Sequence, residues 1–481
     1  MPDSGPGPLG PQAKAEGYPA ELKNRMSRPQ RHRLLHGYPM PKLMKPWAGE
    51  ESLGTLMDSL RPLIIGVNPH PFCNPKVKGC GFCTFPHQKF KKRKMRSVTD
   101  AVQQELRAFK AKFPVLEERK VEAVYLGGGT ANLAHPDLLR GLYDCLQVAF
   151  DLQDAELTLE GVPIHFGRAD FAQLRLLAER GVRKPRISMG VQTFDPARLK
   201  SMGRQAFGTR EDIQAIVEQA QALGLTTSVD LLFNLPHQSL SEMLADLDEA
   251  VQLGVDQVCA YNLVLFGGLG TQWSREPKQM AGMRGVEASC ENWLAVREHL
   301  LDSGFVQSTL TNFERAEVQG TDRAFAYERC SFSPETYDGL GFGPAGITVV
   351  ADPAALRATK LLNTSDADDY LRRIDESQGA LLHQFDCEVE DLKLLHLTRQ
   401  LSLLRVRRDS YKEWFGSDPV EDFRLLFEPL ADAELVVVEP DAVRLTPRGM
   451  FFADTVAGFL AFPRVLEVFG RRDENTEYFM G

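Results

Sequence analysis

Six short runs of apolar and β-branched residues alternate with amphipathic segments between residues 62 and 265. Strands that alternate with helices are typical of strand–helix–strand units, which assemble into a parallel sheet. The sequence therefore predicts an α/β fold on six parallel strands, closed as a barrel or left open. The predicted strands are PLIIGV at 62–67, EAVYL at 122–126, ELTLE at 156–160, PRISMG at 185–190, TTSVDLLF at 226–233 and DQVCAYNLVL at 256–265.

The segments between these strands carry helix signals. Pro136 suits a first helical position, and Ser239 with Glu242 has the spacing of a capping box. Apolar residues after Pro136 recur every fourth position, which favours one buried helical face. In a barrel and in an open sheet alike, function lies at the carboxyl ends of the parallel strands. The sequence leaves the choice between the two open.

The chain of 481 residues is long enough for about two or three domains. Nine of the 29 prolines lie in the first 46 residues, so we predict that residues 1–61 form an extension without a core of its own. Residues 62–310 contain the predicted strands. Beyond residue 310 a leucine-rich helix, a strand–turn–strand and a last helix at 453–462 predict a C-terminal α+β domain at 311–481.

Charge and hydrophobicity bear on the partners and the location. With 56 Lys and Arg against 65 Asp and Glu, the formal net charge is −9, which argues against a general nucleic-acid clamp. No run of about 18 apolar residues is long enough to span a bilayer, and the first residues lack the pattern of a secretory signal. We therefore expect a cytoplasmic protein with neither a membrane nor a nucleic acid as partner.

Three of the eight cysteines, Cys73, Cys80 and Cys83, lie within eleven residues and follow the first predicted strand. Eight cysteines are too few in a chain of this length for a disulfide scaffold, so the close spacing indicates a metal site. Three thiolates on a 4Fe-4S cluster leave one iron free to bind a small chelating molecule. The alternative is a structural zinc site with His70 or His87 as the fourth ligand.

Polar residues and glycines cluster at the ends of the later strands. Three glycines and Thr130 follow the second strand, where glycine permits close approach of a ligand to the backbone. A carboxylate that closes an apolar strand is costly unless it meets a cation or hydrogen-bond donors. We predict that all of these residues lie on one rim and face a polar ligand: Gly127, Gly128, Gly129, Thr130, Glu160, Gln192, Arg204 and Asp230.

These motifs, taken in order, resemble the radical SAM enzymes, and within them the branch of oxygen-independent coproporphyrinogen III oxidases. The resemblance runs from about residue 62 to the end. It implies a partial (β/α)6 barrel followed by a C-terminal helical, winged-helix-like α+β domain. The matching motifs are the cysteine loop, YLGGGTANL, LTLEGVP, RISMGVQTFDPARLKSMGR, SVDLLFNLPHQS, DGLGFGPAG, LFEPL and VRLTPRGMFFADTV.

The resemblance also implies cofactors and ligands. Cys73, Cys80 and Cys83 would hold a 4Fe-4S cluster whose open iron binds S-adenosylmethionine. An electron from the cluster would then split that cofactor into methionine and a 5′-deoxyadenosyl radical, so the cofactor carries the difficult chemistry. Contacts to the methionyl part would come from Gly128, Gly129 and Thr130. The rest of the cofactor would be held by Glu160, Gln192, Arg204 and Asp230.

Departures from the family pattern favour one relative over another. The first gap of the cysteine motif is six residues instead of the family's three, and Phe85 stands where the oxidase has a further cysteine. The tyrosine that precedes the loop in this branch is missing, and ERCSFSPETYDGLG lacks the motif of the haem chaperones. We therefore predict, by elimination, C-methylation or related carbon–carbon bond formation on an aromatic, heteroaromatic or tetrapyrrole-like substrate, where a methylase of this group uses a second S-adenosylmethionine. The alternatives are an oxidase-type decarboxylase and a haem chaperone without turnover.

Partners and proton donors are suggested by two further sets of residues. A basic segment beside the cysteine loop predicts docking of an acidic electron donor such as flavodoxin or ferredoxin. It comprises Lys76, Lys78, Lys89, Lys91, Lys92, Arg93, Lys94 and Arg96. Candidate proton or hydrogen donors toward the small-molecule substrate are Tyr261, Tyr327 and Tyr337. We expect His36 to pack against the body of the protein.

Overall fold

The computed structural model describes residues 11–30, 38–47, 49, 53–57, 60–73, 80–85 and 87–470. The predicted role of His36 and the predicted contributions of Lys76 and Lys78 lie outside these residues. The strands are β1 Lys45–Pro46, β2 Leu63–Val67, β3 Val121–Leu126, β4 Glu156–Gly161, β5 Lys184–Gln192, β6 Thr226–Phe233, β7 Gln257–Asn262, β8 Phe305–Gln307, β9 Asn312–Arg315, β10 Asp338–Phe342, β11 Ile347–Asp352, β12 Arg357–Asn363, β13 Leu381–Cys387, β14 Arg405–Arg407, β15 Val436–Val438 and β16 Ala442–Leu445.

Helices connect these strands and cover the sheet. They are α1 Pro11–Met26, α2 Gly54–Met57, α3 Lys92–Lys112, α4 Pro136–Ala149, α5 Pro163–Phe166, α6 Arg168–Ala178, α7 Pro196–Ser201, α8 Arg210–Ala222, α9 Leu240–Gln252, α10 Pro277–Ala281, α11 Val286–Asp302, α12 Ala326–Ser331, α13 Ala367–Asp375, α14 Val389–Ser402, α15 Arg408–Phe415, α16 Pro419–Asp422, α17 Arg424–Asp432, α18 Pro447–Phe451 and α19 Ala453–Gly470. The predicted signals are confirmed: Pro136 opens α4, and Ser239 and Glu242 form a capping box at α9.

All six predicted strands are present as β2 to β7, and neighbours along the chain pair in parallel. A seventh parallel strand, β10, pairs with β2 along its whole length and comes from the glycine-rich segment near residue 340. The full sheet has the order β1-β13-β12-β11-β10-β2-β3-β4-β5-β6-β7-β9-β8. The predicted α/β class is thus confirmed, with one parallel strand more than expected.

The two faces of the parallel strands differ in chemistry. On one face, side chains such as Leu157, Ile187 and Val229 join the main apolar core beneath the covering helices. The alternate residues on the other face, here called the inner face, are mostly polar, as Glu156 and Arg186 illustrate. Helix α12 packs on this inner face against β2 and β3. The sheet therefore encloses a polar interior, which a purely structural core would avoid.

The C-terminal part contains the predicted strand–turn–strand as β15 and β16, which form a three-stranded antiparallel sheet with β14. Helix α14 packs against α19 and β14 beside this sheet. Strands β10 to β13, which follow residue 310, extend the large sheet, so the predicted boundary falls within one continuous sheet. The division into three domains itself stays a prediction.

The N-terminal segment is helical where it is described. Helix α1 packs against α17 and α19. Leu22 is buried there, and the ring of Tyr18 meets the edge of Phe459 at 5.8 Å between ring centres. Within the described residues, no helix has the length and apolar character needed to cross a membrane.

Candidate active site

The three cysteines of the predicted cluster site lie together directly after β2. All three are half-buried and none is in a disulfide. Burial, together with the like charge of Cys83 and Cys80, raises the pKa of Cys73 to about 12. The backbone N–H of Cys83 donates to the carbonyl of Cys80 at 3.0 Å. Three thiols that are so close can bind a metal centre, which would supply the positive charge that their deprotonation requires.

Arg204 reaches the cysteine group from the segment after α7. Its Nη1 donates to Cys80 Sγ at 3.0 Å, and its Nη2 donates to the carbonyl of Gly190. Its guanidinium lies over the ring of Phe207 at 4.2 Å, and its Nε is buried without a partner. Hydrogen bonds to ligand sulfur atoms and nearby positive charge both tune the potential of an iron–sulfur centre. The arrangement is suited to a negatively charged cluster held by thiolates.

The glycines after β3 form a turn that approaches the cysteine loop. Gly129 has φ +50°, and a Cβ there would lie 2.9 Å from the carbonyl oxygen of Phe72. Gly128 has φ +90°, and a Cβ there would meet the side chain of Asn68 at 2.8 Å. Thr130 is buried, and its hydroxyl bonds to Cys73 and lowers the pKa of that thiol. These positions therefore need glycine, because any side chain would displace the residues that lead into Cys73.

Gln192 joins this group at the end of β5. It has φ +76° and follows a register shift between Gly190 and Gln192. A Cβ built on Gly190 would meet Gln192 Nε2 at 3.1 Å and Arg204 Nη2 at 3.3 Å. The structure thus places Gln192 and Arg204 side by side at the rim, as the sequence predicts.

His70 and His87 are the candidate fourth ligands of the alternative zinc site. The contacts that the structure shows for their rings do not involve the three thiols. His70 is buried, and its Nδ1 accepts a hydrogen bond from the backbone N–H of Phe72 at 3.3 Å. Burial lowers the pKa of His70 to about 4, so the ring is neutral. His87 is exposed, and its Nδ1 lies 2.9 Å from the carbonyl oxygen of Phe85.

Glu160 and Asp230 lie on the inner face, on β4 and β6. Burial raises the pKa of Glu160, although the hydroxyl of Tyr125 and the backbone N–H of Gly128 both donate to it. Burial and the Glu160 carboxylate together raise the pKa of Asp230 to about 7, and the Ser188 hydroxyl lies 3.5 Å from Asp230 Oδ1. Two buried carboxylates near one another are costly in a structural core and are typical of a binding site.

Replacing Asp230 by Asn is expected to flatten the pH dependence of stability between about pH 5 and pH 7. The pKa is 3.8 for an ordinary aspartate and about 7 in the fold, so the folded state holds a proton that the unfolded chain loses in this interval. Stability therefore falls as the pH rises, by up to about 1.4 kcal/mol per pH unit for one proton. Urea unfolding at both pH values measures the difference. An equal fall in the wild type and in the variant would contradict the assignment.

The three predicted tyrosine donors line one cavity on the inner face. It has a volume of about 330 Å³ and lies between α12, α14 and strands β2, β3 and β10. Tyr125 also lines it, with its ring centre 5.0 Å from that of Tyr327. Since the Tyr125 hydroxyl donates to Glu160, the cavity adjoins the predicted cofactor rim.

Several residues of this interior were missed by the sequence analysis. Arg186 is buried, stacks over Phe325 at 3.7 Å, and lowers the pKa of Glu156, Glu160 and Asp230. A charged residue inside the strand PRISMG is the signal that could have identified it. Arg399 lines the cavity from α14, where it lies four residues after Leu395 on the same helical face.

The described part of the basic segment runs from Lys89 into the N-terminal turn of α3. Lys92 and Arg93 are exposed, and Lys94 pairs with Asp368 at 2.5 Å. The first turn of α3 contains no acidic residue, so these cations oppose the helix dipole. Docking of an acidic electron donor there stays a prediction.

Comparisons with known proteins agree with this geometry. The family model described as "Radical SAM superfamily" matches residues 67–250, which include the three cysteines and the predicted rim. The mitochondrial "Radical S-adenosyl methionine domain-containing protein 1" of Danio rerio is 23% identical over 394 residues, which cover 80% of this chain and 84% of that protein.

Two bacterial relatives belong to the oxidase and haem-chaperone groups. The "Oxygen-independent coproporphyrinogen III oxidase" of Pseudomonas aeruginosa is 24% identical over 374 residues, covering 74% of this chain and 76% of that protein. The "Heme chaperone HemW" of Escherichia coli is 28% identical over 315 residues, covering 63% and 75%. Neither is a methylase, so the prediction of C-methylation has no support from these relatives.

A solved structure shows the same fold. The coproporphyrinogen III oxidase (HemN) of Escherichia coli superposes with a TM-score of 0.73 at 21% identity, over 88% of this chain and 96% of that chain. The predicted cofactors, a 4Fe-4S cluster and S-adenosylmethionine, are those of the matched superfamily. Residues 67–250 of this chain therefore match the radical SAM superfamily, and the relatives that resemble the chain over most of its length include an oxygen-independent coproporphyrinogen III oxidase and a haem chaperone.

Proposed function

We propose that this chain is a radical SAM oxidoreductase that removes a hydrogen atom from a small molecule bound on the inner face of the sheet. The observation that carries the proposal is the group of three cysteines after β2, none of them in a disulfide, with Arg204 donating to Cys80 Sγ at 3.0 Å. In this proposal Cys73, Cys80 and Cys83 hold the cluster. When bound, the cluster and S-adenosylmethionine supply a 5′-deoxyadenosyl radical.

The surrounding residues fit the cofactor pair. Gly129 lies against the backbone at Phe72 and Gly128 lies against the side chain of Asn68, where an added side chain would collide. The Thr130 hydroxyl there can donate to a carboxylate or accept from an amino group. Asp230 and Glu160 can accept hydrogen bonds from ribose hydroxyls or from an ammonium group, which would compensate for their burial. Arg204 and Gln192 would complete the rim.

The chain's own residues would orient the substrate and exclude water. Tyr125 is half-buried and bonds to Glu160 on one side, and it lines the inner cavity on the other. A substrate in that cavity would therefore lie next to the rim that holds the cofactor. Helix α12 closes the interior, because the backbone N–H of Ala326 donates to Glu156 at 2.7 Å.

The choice of oxidoreductase over methylase is supported by the names of the relatives. One relative at 24% identity is an oxygen-independent coproporphyrinogen III oxidase, whose name describes an oxidation. The second candidate function, a haem chaperone without turnover, is favoured by the 28% identity to HemW. The residues between Glu328 and Gly341 lack the haem motif that the sequence analysis sought, so we place this candidate second.

Anaerobic reconstitution followed by reduction in the presence of S-adenosylmethionine tests the proposal. We expect 5′-deoxyadenosine to form without S-adenosylhomocysteine. Accumulation of S-adenosylhomocysteine in equal amount would contradict the oxidoreductase and support the methylase. Stoichiometric haem binding with no deoxyadenosine formed would also contradict it, and would support the chaperone. Cys145→Ser, which alters a cysteine far along the chain from the cysteine loop, serves as a control for both assays.

A further inference from the structure

The inner cavity has an aromatic wall. Its volume of about 330 Å³ is at the low end of the range, roughly 300–1,000 Å³, that pockets for small ligands occupy. Five aromatic side chains line it: Tyr125, Tyr261, Phe325, Tyr327 and Tyr337. Aromatic rings in such a wall favour a planar apolar group, through offset stacking or edge contacts.

One cation in this wall has no acidic partner. Arg399 is half-buried on α14 and lines the cavity, and no carboxylate of the described chain lies within ion-pair distance of its guanidinium. Burial lowers the pKa of Arg399 to about 10, so the side chain is still charged at neutral pH. An enclosed charge without a partner lowers the stability of the folded state. If Arg399 had only a structural role, we would expect an acidic partner or an apolar residue at this position.

A second cation lies behind Arg399. Lys360 on β12 is buried, and its Nζ donates to the carbonyl of Pro39 at 2.8 Å. Burial, together with the charge of Arg399, lowers the pKa of Lys360 to about 7. Arg399 therefore gives this end of the cavity its positive charge at neutral pH, and Lys360 adds to that charge below about pH 7.

The cavity wall also contains an acidic side chain. Glu328 on α12 lines the cavity and accepts a hydrogen bond from the Thr309 hydroxyl at 3.1 Å. Burial raises the pKa of Glu328 to about 7. Above neutral pH its charge would repel a second anionic group on a ligand, so the cavity then discriminates against dicarboxylates.

From these observations we infer that the cavity binds a small aromatic monocarboxylate, with the carboxylate on Arg399 and the ring among Tyr125, Phe325 and Tyr327. A guanidinium matches a carboxylate in a two-point hydrogen-bonded pair, which is strong where water is excluded. The volume of about 330 Å³ suits a ligand of one or two rings. The inference names the substrate class of the proposed oxidoreductase and to that extent rests on the proposed function.

Equilibrium binding tests this inference without turnover. The probes are phenylpropionate and its neutral amide, titrated calorimetrically into the reconstituted full-length protein in the absence of reductant. We expect the acid to bind at least about tenfold more tightly than the amide, as a charge-assisted hydrogen bond implies. Equal affinities, or no saturable binding of the acid, would overturn the inference. So would displacement of phenylpropionate by coproporphyrin.

Substitution of Arg399 separates binding from folding. Arg399→Met should weaken binding of the acid by about tenfold or more and leave the amide unchanged, while Arg399→Lys should recover part of the loss. The melting temperature of Arg399→Met should be no lower than that of the wild type, because an unpaired buried charge is removed. Arg405→Met, which alters an exposed arginine on β14, is the matched control and should bind both probes normally. Unchanged binding of the acid to Arg399→Met would overturn the inference.

The two proposals fail in different ways. Binding of the acid without any 5′-deoxyadenosine from the reduced protein would overturn the oxidoreductase and leave the binding site intact. Formation of 5′-deoxyadenosine together with equal affinity for acid and amide would overturn the binding site alone.

Discussion

Serine at Cys73, Cys80 or Cys83 is expected to abolish both iron–sulfur loading and reductive cleavage of S-adenosylmethionine. Only a thiolate is a strong ligand for iron in such a cluster, and a serine hydroxyl does not replace it. Loss of one of the three cysteines should destabilise the whole cluster. A second iron would then have no protein ligand, in addition to the open iron. We expect the reconstituted wild type to hold about four irons per chain and each variant to hold almost none.

Iron and sulfide analysis, visible absorbance and deoxyadenosine formation measure this effect together. Cys145→Ser is the matched control: Cys145 is a buried cysteine on α4 whose Sγ contacts the carbonyl of Gln103 at 3.6 Å, away from the cysteine loop. It should load iron like the wild type. If the three loop variants kept both their iron and their cleavage of S-adenosylmethionine, the proposed function would be lost.

Replacing Asp338 by Asn is expected to lower the free energy of unfolding by about 3–5 kcal/mol. Asp338 is fully buried at the start of β10 and pairs with Arg119, which is also buried. Arg61 lies 3.6 Å from its other oxygen, and the backbone N–H of Ala351 donates to it at 3.0 Å. The asparagine would leave the enclosed guanidinium of Arg119 facing a neutral side chain, and that loss exceeds the cost of losing one hydrogen bond.

Urea unfolding of the full-length protein measures this loss. Asp375→Asn, an exposed carboxylate at the end of α13, is the control and should change stability by less than about 0.5 kcal/mol. The double variant Arg119→Met with Asp338→Leu should be more stable than Asp338→Asn. It removes both charges of the pair, so neither is left buried without its partner. A loss below about 1 kcal/mol in Asp338→Asn would contradict this account.

Asp338 also affects the cysteine loop, through the strand that it begins. Strand β10 begins at Asp338 and pairs with β2, which leads into the cysteine loop. The turn after β10 also supports that loop, since Asn68 Nδ2 donates to the carbonyl of Pro344 at 2.7 Å. A weakened β10 should therefore disturb the loop that carries Cys73.

The methylase was predicted by elimination from side chains that the chain lacks. Phe85 in place of a cysteine, and the absence of the haem motif, removed two relatives from consideration. The relatives found by comparison nevertheless include an oxidase and a haem chaperone. Single missing residues are weak evidence about a reaction, because the reaction depends on the whole site and few of its residues are diagnostic alone.

The sequence by itself determined the parallel sheet, the cysteine group and most of the rim. Alternating strands and helices dictate a parallel sheet, and in such a sheet the strand ends meet on one side, so Cys73, Thr130 and Gln192 were placed from local pattern alone. Capping at Ser239 was equally local. Each of these features depends on residues that are close in the chain.

Only the tertiary structure decided the seventh parallel strand, the inner cavity and the isolation of Arg399. Gly339 and Gly341 give β10 little strand propensity, and the strand forms because β2 and β11 pair with it on either side. Arg399 lies in a leucine-rich helix that predicts burial, but whether an acid meets it depends on α12 and β10, which are distant in the chain. Such partners are set by packing between elements, and no local pattern encodes them.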